Sequence, residues 1–171
     1  IFRSLVYSLP VTTFTRAEFS RILAPVLQQG LPSSGIVRTF PRDLAHAPLS
    51  VQGLDIPSLY VTQGIEHLAR LLSFAPLGIG TLGRLILASL EQLKLETGVG
   101  GSILSRNYYD FASLVTPCWV TNTWQFLTDN RLTVADSTDN CKPHRKNDPF
   151  VMELLLKSGV STQELVTLNA C

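Results

Sequence analysis

The residues in this sequence with the clearest capacity for chemistry are arginines near the beginning of the chain. Residues 1–50 contain five arginines and no lysine, against two acidic residues, Glu18 and Asp43. The arginines are Arg3, Arg16, Arg21, Arg38 and Arg42. A guanidinium group binds phosphate through two parallel hydrogen bonds, which a lysine ammonium does not do. This local excess predicts a phosphate-contacting face, with ordinary solvated arginines as the alternative on charge alone.

A glycine-rich stretch over residues 78–83 matches the G-x-G-x-x-G pattern of loops that bind dinucleotides. Such a site also needs a strand that ends at the first glycine and an acidic residue after a second strand. The residues before Gly78 instead have the pattern of a helix end, and residues 98–105 contain no acid. We interpret the stretch as a turn between helices and expect no cofactor. A phosphate contact to the amides at this helix start is the lesser alternative.

A second candidate cluster is the C-x-x-H pair of Cys141 and His144, which basic residues surround. Zinc takes four protein ligands, or three and a water molecule, and the remaining cysteines and histidines have no partner spacing. We therefore expect no metal site and interpret the cluster as a solvated loop. The serines come without the G-x-S-x-G turn of many hydrolases, so the sequence predicts no nucleophilic catalysis.

Two tryptophans, Trp119 and Trp124, are candidates for stacking on bases, as aromatic residues do in proteins that bind single strands. They lie five residues apart on one predicted helix, so their side chains point in different directions. The pattern favours one tryptophan in the core and one at its edge. His67 is predicted to be a partly exposed residue of another helix.

The bulk composition limits the kind of protein this is. The chain has 171 residues, of which 45% are hydrophobic and 16% charged, which suits one sizeable core and excludes disorder. The formal charge is +1, so the protein as a whole has no electrostatic attraction to nucleic acid or membrane. Three cysteines without a C-x-x-C pair indicate a reducing compartment inside the cell, the cytoplasm or nucleus. The longest apolar stretch, residues 71–83, is interrupted by proline and glycine and is too short to cross a bilayer.

The elements that must position these residues are organised around a predicted pair of helices. Residues 57–73 and 81–96 each show apolar residues at steps of three and four, the period of a helix with one buried face. The predicted stripes are Val61, Ile65, Leu68 and Leu72 in the first helix, and Leu82, Ile86, Leu90 and Leu93 in the second. We expect the two stripes to pack against each other.

An earlier helix carries two of the arginines. The T-x-x-E capping box that starts at Thr15 predicts a helix over residues 16–28, bent near Pro25 and stopped by the glycine and proline that follow. Residues 31–57 are rich in proline, glycine and serine and form a long connection. Connections of that length within a compact domain are usually functional.

The second half of the chain alternates predicted helices with irregular segments. The predicted segments are a helix over 117–129, a strand-like run over 131–136, an exposed polar stretch over 137–148 and a helix over 149–159. An S-x-x-E capping box at Ser161 begins a last helix. The chain starts at Ile1 without methionine and stops about two turns into this helix, so we expect both ends to continue into a longer polypeptide. Together these elements predict a mainly α protein, an irregular helical domain built on a central helix pair, with long connections and little β structure.

Five stretches of the sequence resemble one family. They are SLPVTTFTRAEFSRILAPVL, FPRDLAHAPLSVQGLDIPSLYVTQGIEHLARLL, LASLEQLKLETGVGG, CWVTNTWQFL and RKNDPFVMELLLKSGVSTQELVTLN. The family is the reverse transcriptase polyproteins of LINE-like (non-LTR) retrotransposons, in the region downstream of the polymerase palm. The resemblance covers nearly the whole chain, and residues 51–56, VQGLDI, correspond to a GGLGI turn that follows the thumb.

Two departures from the family pattern matter. Gln52 and Asp55 stand where the family usually has glycine, so we expect a strained turn or a decaying copy of the element. The chain also has no Asp-Asp pair, whereas the paired aspartates of the palm hold the two divalent metal ions of the polymerase. The resemblance therefore implies that the parent polymerase needs divalent metal, while this segment has no cofactor and does not polymerise DNA alone.

The resemblance implies a non-catalytic thumb and post-thumb segment of an RNA-directed DNA polymerase, which positions the template–primer or braces the polymerase. Residues 1–50 are then a thumb-like helix and arginine-rich connection, residues 51–136 a central helical core, and residues 137–171 a polar loop and C-terminal helices. The candidate nucleic-acid contacts are Arg16, Arg21, Arg38 and Arg42.

The partners that this reading implies are an RNA or DNA template–primer, through the parent protein, and the remainder of the polyprotein, with no membrane. Two alternatives stay open. One is a helical structural or protein-interaction module without a nucleic-acid role, and the other is a nucleotide-binding enzyme that uses residues 78–83.

Overall fold

The computed structural model describes residues 6–74, 80–99, 102–134 and 150–169. These residues are mainly α-helical and contain no β-strand, which confirms the predicted fold class. The α-helices are α1 (Arg16–Ser33), α2 (Arg42–His46), α3 (Leu59–Phe74), α4 (Gly80–Thr97), α5 (Trp119–Asp129), α6 (Val151–Lys157) and α7 (Thr162–Asn169). Short 3₁₀ turns lie at Leu49–Val51, Ile103–Ser105 and Tyr108–Asp110.

The chain divides into two compact units, an N-terminal unit (Ile1–Glu66) and a C-terminal unit (His67–Cys171). The boundary between them falls within the sequence of α3. The three-part division into residues 1–50, 51–136 and 137–171 stays a prediction.

Of the strand-like run, residues 131–134 contain no strand, and residues 135–136 lie outside the described part of the chain. Among the described residues, every helix is too short or too polar to traverse a lipid bilayer.

The first turn of α1 forms as the capping box predicts. The Thr15 amide donates to a Glu18 carboxylate oxygen at 2.7 Å, and the Glu18 amide donates to the Thr15 hydroxyl at 3.3 Å. Both contacts satisfy backbone amides that have no partner within the helix. The hydrogen bond from the Thr15 backbone amide is the main reason that the pKa of Glu18 is lowered.

The end of α1 is later than the sequence predicted. The helix continues through Pro25 and Pro32 to Ser33. The reason is the apolar stripe, which repeats every four residues through the predicted stop and buries Leu31. The helix ends instead at a left-handed glycine, Gly35 with φ 76°, and the following amide, of Ile36, donates to the Leu31 carbonyl at 2.9 Å.

The buried face of α3 differs from the predicted one. Two residues of the predicted stripe are on the surface, Ile65 with 56% and Leu72 with 44% of their area exposed. The residues that are buried are Leu59, Tyr60, Gln63, Gly64, His67 and Leu71. The prediction was wrong because the true buried face includes two polar residues, which an apolar periodicity does not register.

Gln63 shows how the N-terminal unit accommodates a polar side chain in its interior. Its amide nitrogen donates to the Phe14 carbonyl at 2.9 Å, and its amide oxygen accepts from the Phe14 amide at 3.3 Å. The Thr12 hydroxyl donates to the same oxygen at 3.0 Å. These hydrogen bonds fix the segment before α1 against α3 and remove the desolvation cost of a buried amide.

The core of the C-terminal unit gathers residues from α3, α4, α5 and the turns between them. Its buried residues are Leu71, Ile86, Leu90, Leu93, Val99, Ile103, Leu104, Phe111, Val115, Val120, Trp124 and Leu127. Three of the four predicted stripe residues of α4 belong to it, whereas Leu82 is 42% exposed. Leu71 joins the same cluster, so the last turns of α3 pack with α4, although through a different residue than predicted.

The tryptophans of α5 occupy the two positions that the sequence favoured. Trp124 is fully buried, and its indole nitrogen donates to the Arg106 carbonyl at 2.8 Å. Trp119 is half-buried at the edge of the cluster, where its ring centroid lies 4.7 Å from that of His67. His67 itself is fully buried, so the prediction of a partly exposed histidine was wrong.

The last helix begins at its predicted capping box. The Ser161 hydroxyl donates to the Glu164 carboxylate at 2.9 Å, and the Glu164 amide donates to the Ser161 hydroxyl at 3.3 Å. The polar stretch over 137–148 lies outside the described residues. The helix predicted over 149–159 is seen as α6, which begins at Val151.

Candidate nucleic-acid interface

The N-terminal unit contains a cleft of about 470 Å³ between α1, α2 and the first turn of α3. Its exposed charged and hydroxyl-bearing lining residues are Arg16, Ser20, Arg42 and Asp43. Its buried lining residues are Phe19, Leu23, Leu27, Leu59 and Tyr60. The lining thus combines exposed polar side chains, which we call the rim, with buried apolar and aromatic ones, which we call the floor.

Arg16 is held at the rim by an aromatic ring. It is the first residue of α1, directly after the capping Thr15, so the position of its backbone is fixed by the helix start. Its guanidinium carbon lies 5.4 Å from the ring centroid of Tyr60, within the range of a cation–π interaction. Tyr60 is only 5% exposed, so its ring is itself fixed by the surrounding side chains.

Arg42 and His46 reach the cleft from the short helix α2. His46 Nδ1 lies 2.7 Å from the Ile56 carbonyl oxygen. A carbonyl oxygen only accepts, so Nδ1 donates the hydrogen of this bond. This hydrogen bond ties the end of α2 to the segment that leads into α3.

The connection after α2 is a compact turn rather than an open loop. The amides of Leu54, Asp55 and Ile56 donate to the carbonyls of residues 44, 47 and 45 at 3.2, 2.9 and 3.0 Å. These backbone hydrogen bonds hold the connection against α2. They therefore fix the backbone of the short helix that carries Arg42.

The expected strain is present in the turn over residues 51–56, where two residues other than glycine have positive φ. Gln52 and Asp55 adopt left-handed backbone conformations, with φ of 61° and 51°. This conformation is costly for residues with a Cβ atom, less so for aspartate than for glutamine. Gly53 is indispensable for a different reason, since a Cβ atom there would lie 1.9 Å from the Ala47 carbonyl oxygen.

The structure brings together two of the four predicted arginines. Arg16 and Arg42 line the cleft, whereas Arg21 and Arg38 are exposed outside its lining. Arg21 lies near Glu18, where its charge adds a minor share to the lowering of the pKa of that carboxyl by Thr15.

Several predicted features lie wholly or partly outside the described residues. Arg3, the Cys141 and His144 pair with its basic neighbours, and Gly78 are all in this category. In the described ranges, no group of three or more histidine, cysteine, aspartate or glutamate side chains is arranged to hold a metal ion. α3 ends at Phe74 and α4 begins at Gly80, and the residues between them lie outside the described part of the chain, so the predicted turn stays a prediction.

Tyr60 and Asp43 are two of the lining residues that the sequence did not single out. Asp43 follows Arg42 directly and was counted only as a charge. Tyr60 lies far from Arg16 in the sequence, and no spacing rule connects the first residue of one helix with the start of another. A contact of this kind follows from the packing of α1 and α3 and has no sequence signal.

The residues that line the cleft are of types suited to binding an anionic ligand. Two guanidinium groups at the rim can hold an anion through charge-assisted hydrogen bonds, and the apolar floor can bury an uncharged part of the same ligand. No protein-family model, curated protein or solved structure matches this chain. The function of the cleft therefore has to be inferred from its own residues.

Proposed function

We propose that this chain is a non-catalytic segment of a non-LTR retrotransposon reverse transcriptase, and that its arginine-rimmed cleft contacts the nucleic acid on which that polymerase acts. The observation that carries the proposal is that Arg16 and Arg42 line one cleft. Both residues were predicted as phosphate contacts from the local charge excess, and neither shares a helix with the other. Two arginines that line one cleft suit phosphate binding, because each guanidinium group can donate two parallel hydrogen bonds to a phosphate.

The role we propose is positional. The sequence has no Asp-Asp pair to hold the catalytic metal ions, so an RNA-directed DNA polymerase containing this segment must supply them, with divalent metal, from elsewhere. The segment would hold an RNA or DNA template–primer or brace the rest of the polyprotein, in the cytoplasm or nucleus. Arg21 and Arg38, which lie outside the lining of the cleft, add positive charge to the N-terminal unit and contribute less to binding.

The test is a nucleic-acid titration of the full chain at low salt, followed by fluorescence anisotropy. We expect the double variant Arg16→Ala with Arg42→Ala to weaken binding to all sequences about equally, because phosphate contacts carry no sequence information. Each lost contact should also reduce the slope of log affinity against log salt by about one unit.

Two control pairs have the same change in charge. Arg84 and Arg106 are exposed arginines of the C-terminal unit, and replacing both by alanine should leave the affinity nearly unchanged. Replacing Arg21 and Arg38 should have an intermediate effect. Equal losses for all three pairs would mean that net charge, and not the cleft, is responsible for binding.

A second candidate function is supported by a different observation. α4 exposes Leu82 and Leu85 near its start, with 42% and 60% of their areas accessible to solvent. Exposed leucines on one helix favour a helical module that binds another protein and has no nucleic-acid role. Absence of nucleic-acid binding by the wild-type chain at about 50 mM salt, where phosphate contacts are strong, would favour this second function.

A further inference from the structure

The shape of the cleft narrows the kind of nucleic acid that it fits. A duplex presents its phosphates on a convex surface and keeps its bases stacked inside, so its backbone can reach a charged rim but leaves an apolar floor empty. The cleft here has about 470 Å³ of space over a floor of buried leucine and aromatic side chains. That volume falls in the range of sites that enclose a small molecule or one part of a larger ligand.

The charges of the rim suit one phosphate rather than several. Arg16 and Arg42 contribute two positive charges and Asp43 one negative charge, which leaves +1 at the rim when His46 is neutral. All three charged side chains are exposed, so the buried part of a ligand has to be uncharged. A phosphate group attached to a flat apolar body has this distribution of charge.

The contact between Arg16 and Tyr60 adds a stacking surface. Tyr60 is nearly buried, so its ring is not an open platform for a base. The guanidinium plane that it holds is exposed, and guanidinium planes stack on unpaired bases in the way that aromatic rings do.

From these observations we infer that the cleft takes one unpaired nucleotide, with its base over the apolar floor and its phosphate between Arg16 and Arg42. The inference rests on the proposed function and narrows its substrate to single-stranded nucleic acid. The chain would then grip the unpaired part of a template and leave its paired part to other regions of the polymerase.

The experiment compares a single-stranded oligonucleotide of mixed sequence with a blunt duplex of the same sequence, using the full chain and one salt concentration. The single strand should bind about fivefold or more tightly, since stacking of one base contributes at least that factor. Adenosine 5′-monophosphate should compete with the single strand, whereas inorganic phosphate at the same ionic strength should compete much less.

The matched variants are Ser20→Phe and Ala17→Phe. Ser20 is an exposed residue of the cleft rim, and its hydroxyl donates to the Arg16 carbonyl within the same helix at 2.9 Å. Ala17 is exposed on α1 outside the lining and receives the same new side chain. Ser20→Phe should abolish the preference for the single strand by filling the cleft, and Ala17→Phe should keep it. Circular dichroism melts of both variants would show whether each remains folded.

The outcomes separate this inference from the proposed function. Equal binding of single strand and duplex, unaffected by Ser20→Phe but weakened by loss of Arg16 and Arg42, would overturn the inference and leave the proposed function standing. Absence of binding to either form at low salt would overturn both. A single-strand preference that disappears in Ser20→Phe and persists in Ala17→Phe would support the inference.

Discussion

The two compact units use their apolar side chains differently. In the C-terminal unit, Trp124 is fully buried in the core cluster, and its ring centroid lies 5.4 Å from that of Tyr108 and 6.0 Å from that of Phe111. In the N-terminal unit, the leucine stripe of α1 is buried too, yet it forms the floor of a cleft whose rim is charged. In the C-terminal unit, the buried tryptophan contributes to stability. In the N-terminal unit, apolar side chains line a cleft that a ligand can enter.

This difference shows where function should be sought in such a chain. The tryptophans are the residues that attract attention as base-stacking groups, and they lie inside or at the edge of a core. Two of the arginines, by contrast, line a cleft and are exposed to solvent. Solvent accessibility therefore separates the tryptophans from the arginines, whereas the chemistry of the residue type alone does not.

The largest effect is expected in the core of the C-terminal unit. Leu71→Ala should reduce the free energy of unfolding by about 2–5 kcal/mol, because it leaves a cavity in a packed cluster. Its neighbour Leu72 is 44% exposed, so Leu72→Ala should cost less than about 1 kcal/mol. Urea denaturation of both variants measures the difference. A lower midpoint for Leu72→Ala than for Leu71→Ala would mean that α3 buries the face predicted from the sequence.

Two smaller effects, of opposite sign to each other, are expected in the turn of the N-terminal unit. Gln52→Gly should raise the free energy of unfolding by about 1 kcal/mol or less, since glycine relieves the left-handed strain but loses more entropy on folding. Gly53→Ala should lower it by about 1–3 kcal/mol, because the new Cβ atom meets the Ala47 carbonyl.

Asp55→Gly is the control for that turn. Aspartate tolerates the left-handed region better than glutamine does, so the gain should be smaller than for Gln52→Gly. Thermal melts of the three variants order the effects. A gain at position 53, or a loss at position 52, would contradict the strained geometry that holds Arg42 near the cleft.

The smallest effect concerns the acid response of the C-terminal unit. Burial raises the pKa of Glu96, but hydrogen bonds from the Thr116 amide and from the side chains of Gln92 and Thr116 outweigh it and lower the pKa below its usual 4.5. A carboxyl with a lowered folded pKa stabilises the protein above its unfolded pKa, and this stabilisation is lost as pH falls through the folded pKa.

Glu96→Gln removes the titrating group and serves as the comparison. The unfolding free energy of the wild type should therefore fall more steeply than that of the variant as pH decreases from about 6 to about 3. Urea midpoints at several pH values measure both slopes. Parallel pH profiles would show that the hydrogen bonds from Thr116 to Glu96 make no contribution to the unfolding free energy that depends on the charge of Glu96.

The sequence predicts helix starts well and buried faces less well. The capping boxes at Thr15 and Ser161 mark the true starts of α1 and α7, because their side-chain hydrogen bonds are local. The end of α1 was missed because a tertiary contact, the burial of Leu31, outweighs a glycine and a proline. The face of α3 was missed because Gln63 and His67 are polar and buried.

The candidate site could be predicted in composition but not in geometry. The charge excess over residues 1–50 identified the arginines, and a phosphate preference follows from their chemistry alone. Which of them share a cleft depends on how α1, α2 and α3 pack, and Arg16 and Arg42 have no spacing relation. The apolar floor was equally hidden, since its leucines are indistinguishable in sequence from those of a closed core.

The two-way hydrogen bonding of Gln63 has a consequence for which substitutions the chain tolerates. The position needs a donor for one carbonyl and an acceptor for an amide and a hydroxyl, at the length of a glutamine side chain. Glutamate has the length but no hydrogen to donate, asparagine has both functions but not the reach, and leucine has neither function. The choice of side chain at this position is therefore as restricted as at a position occupied by a core leucine. The polarity of glutamine alone would instead place it at the surface.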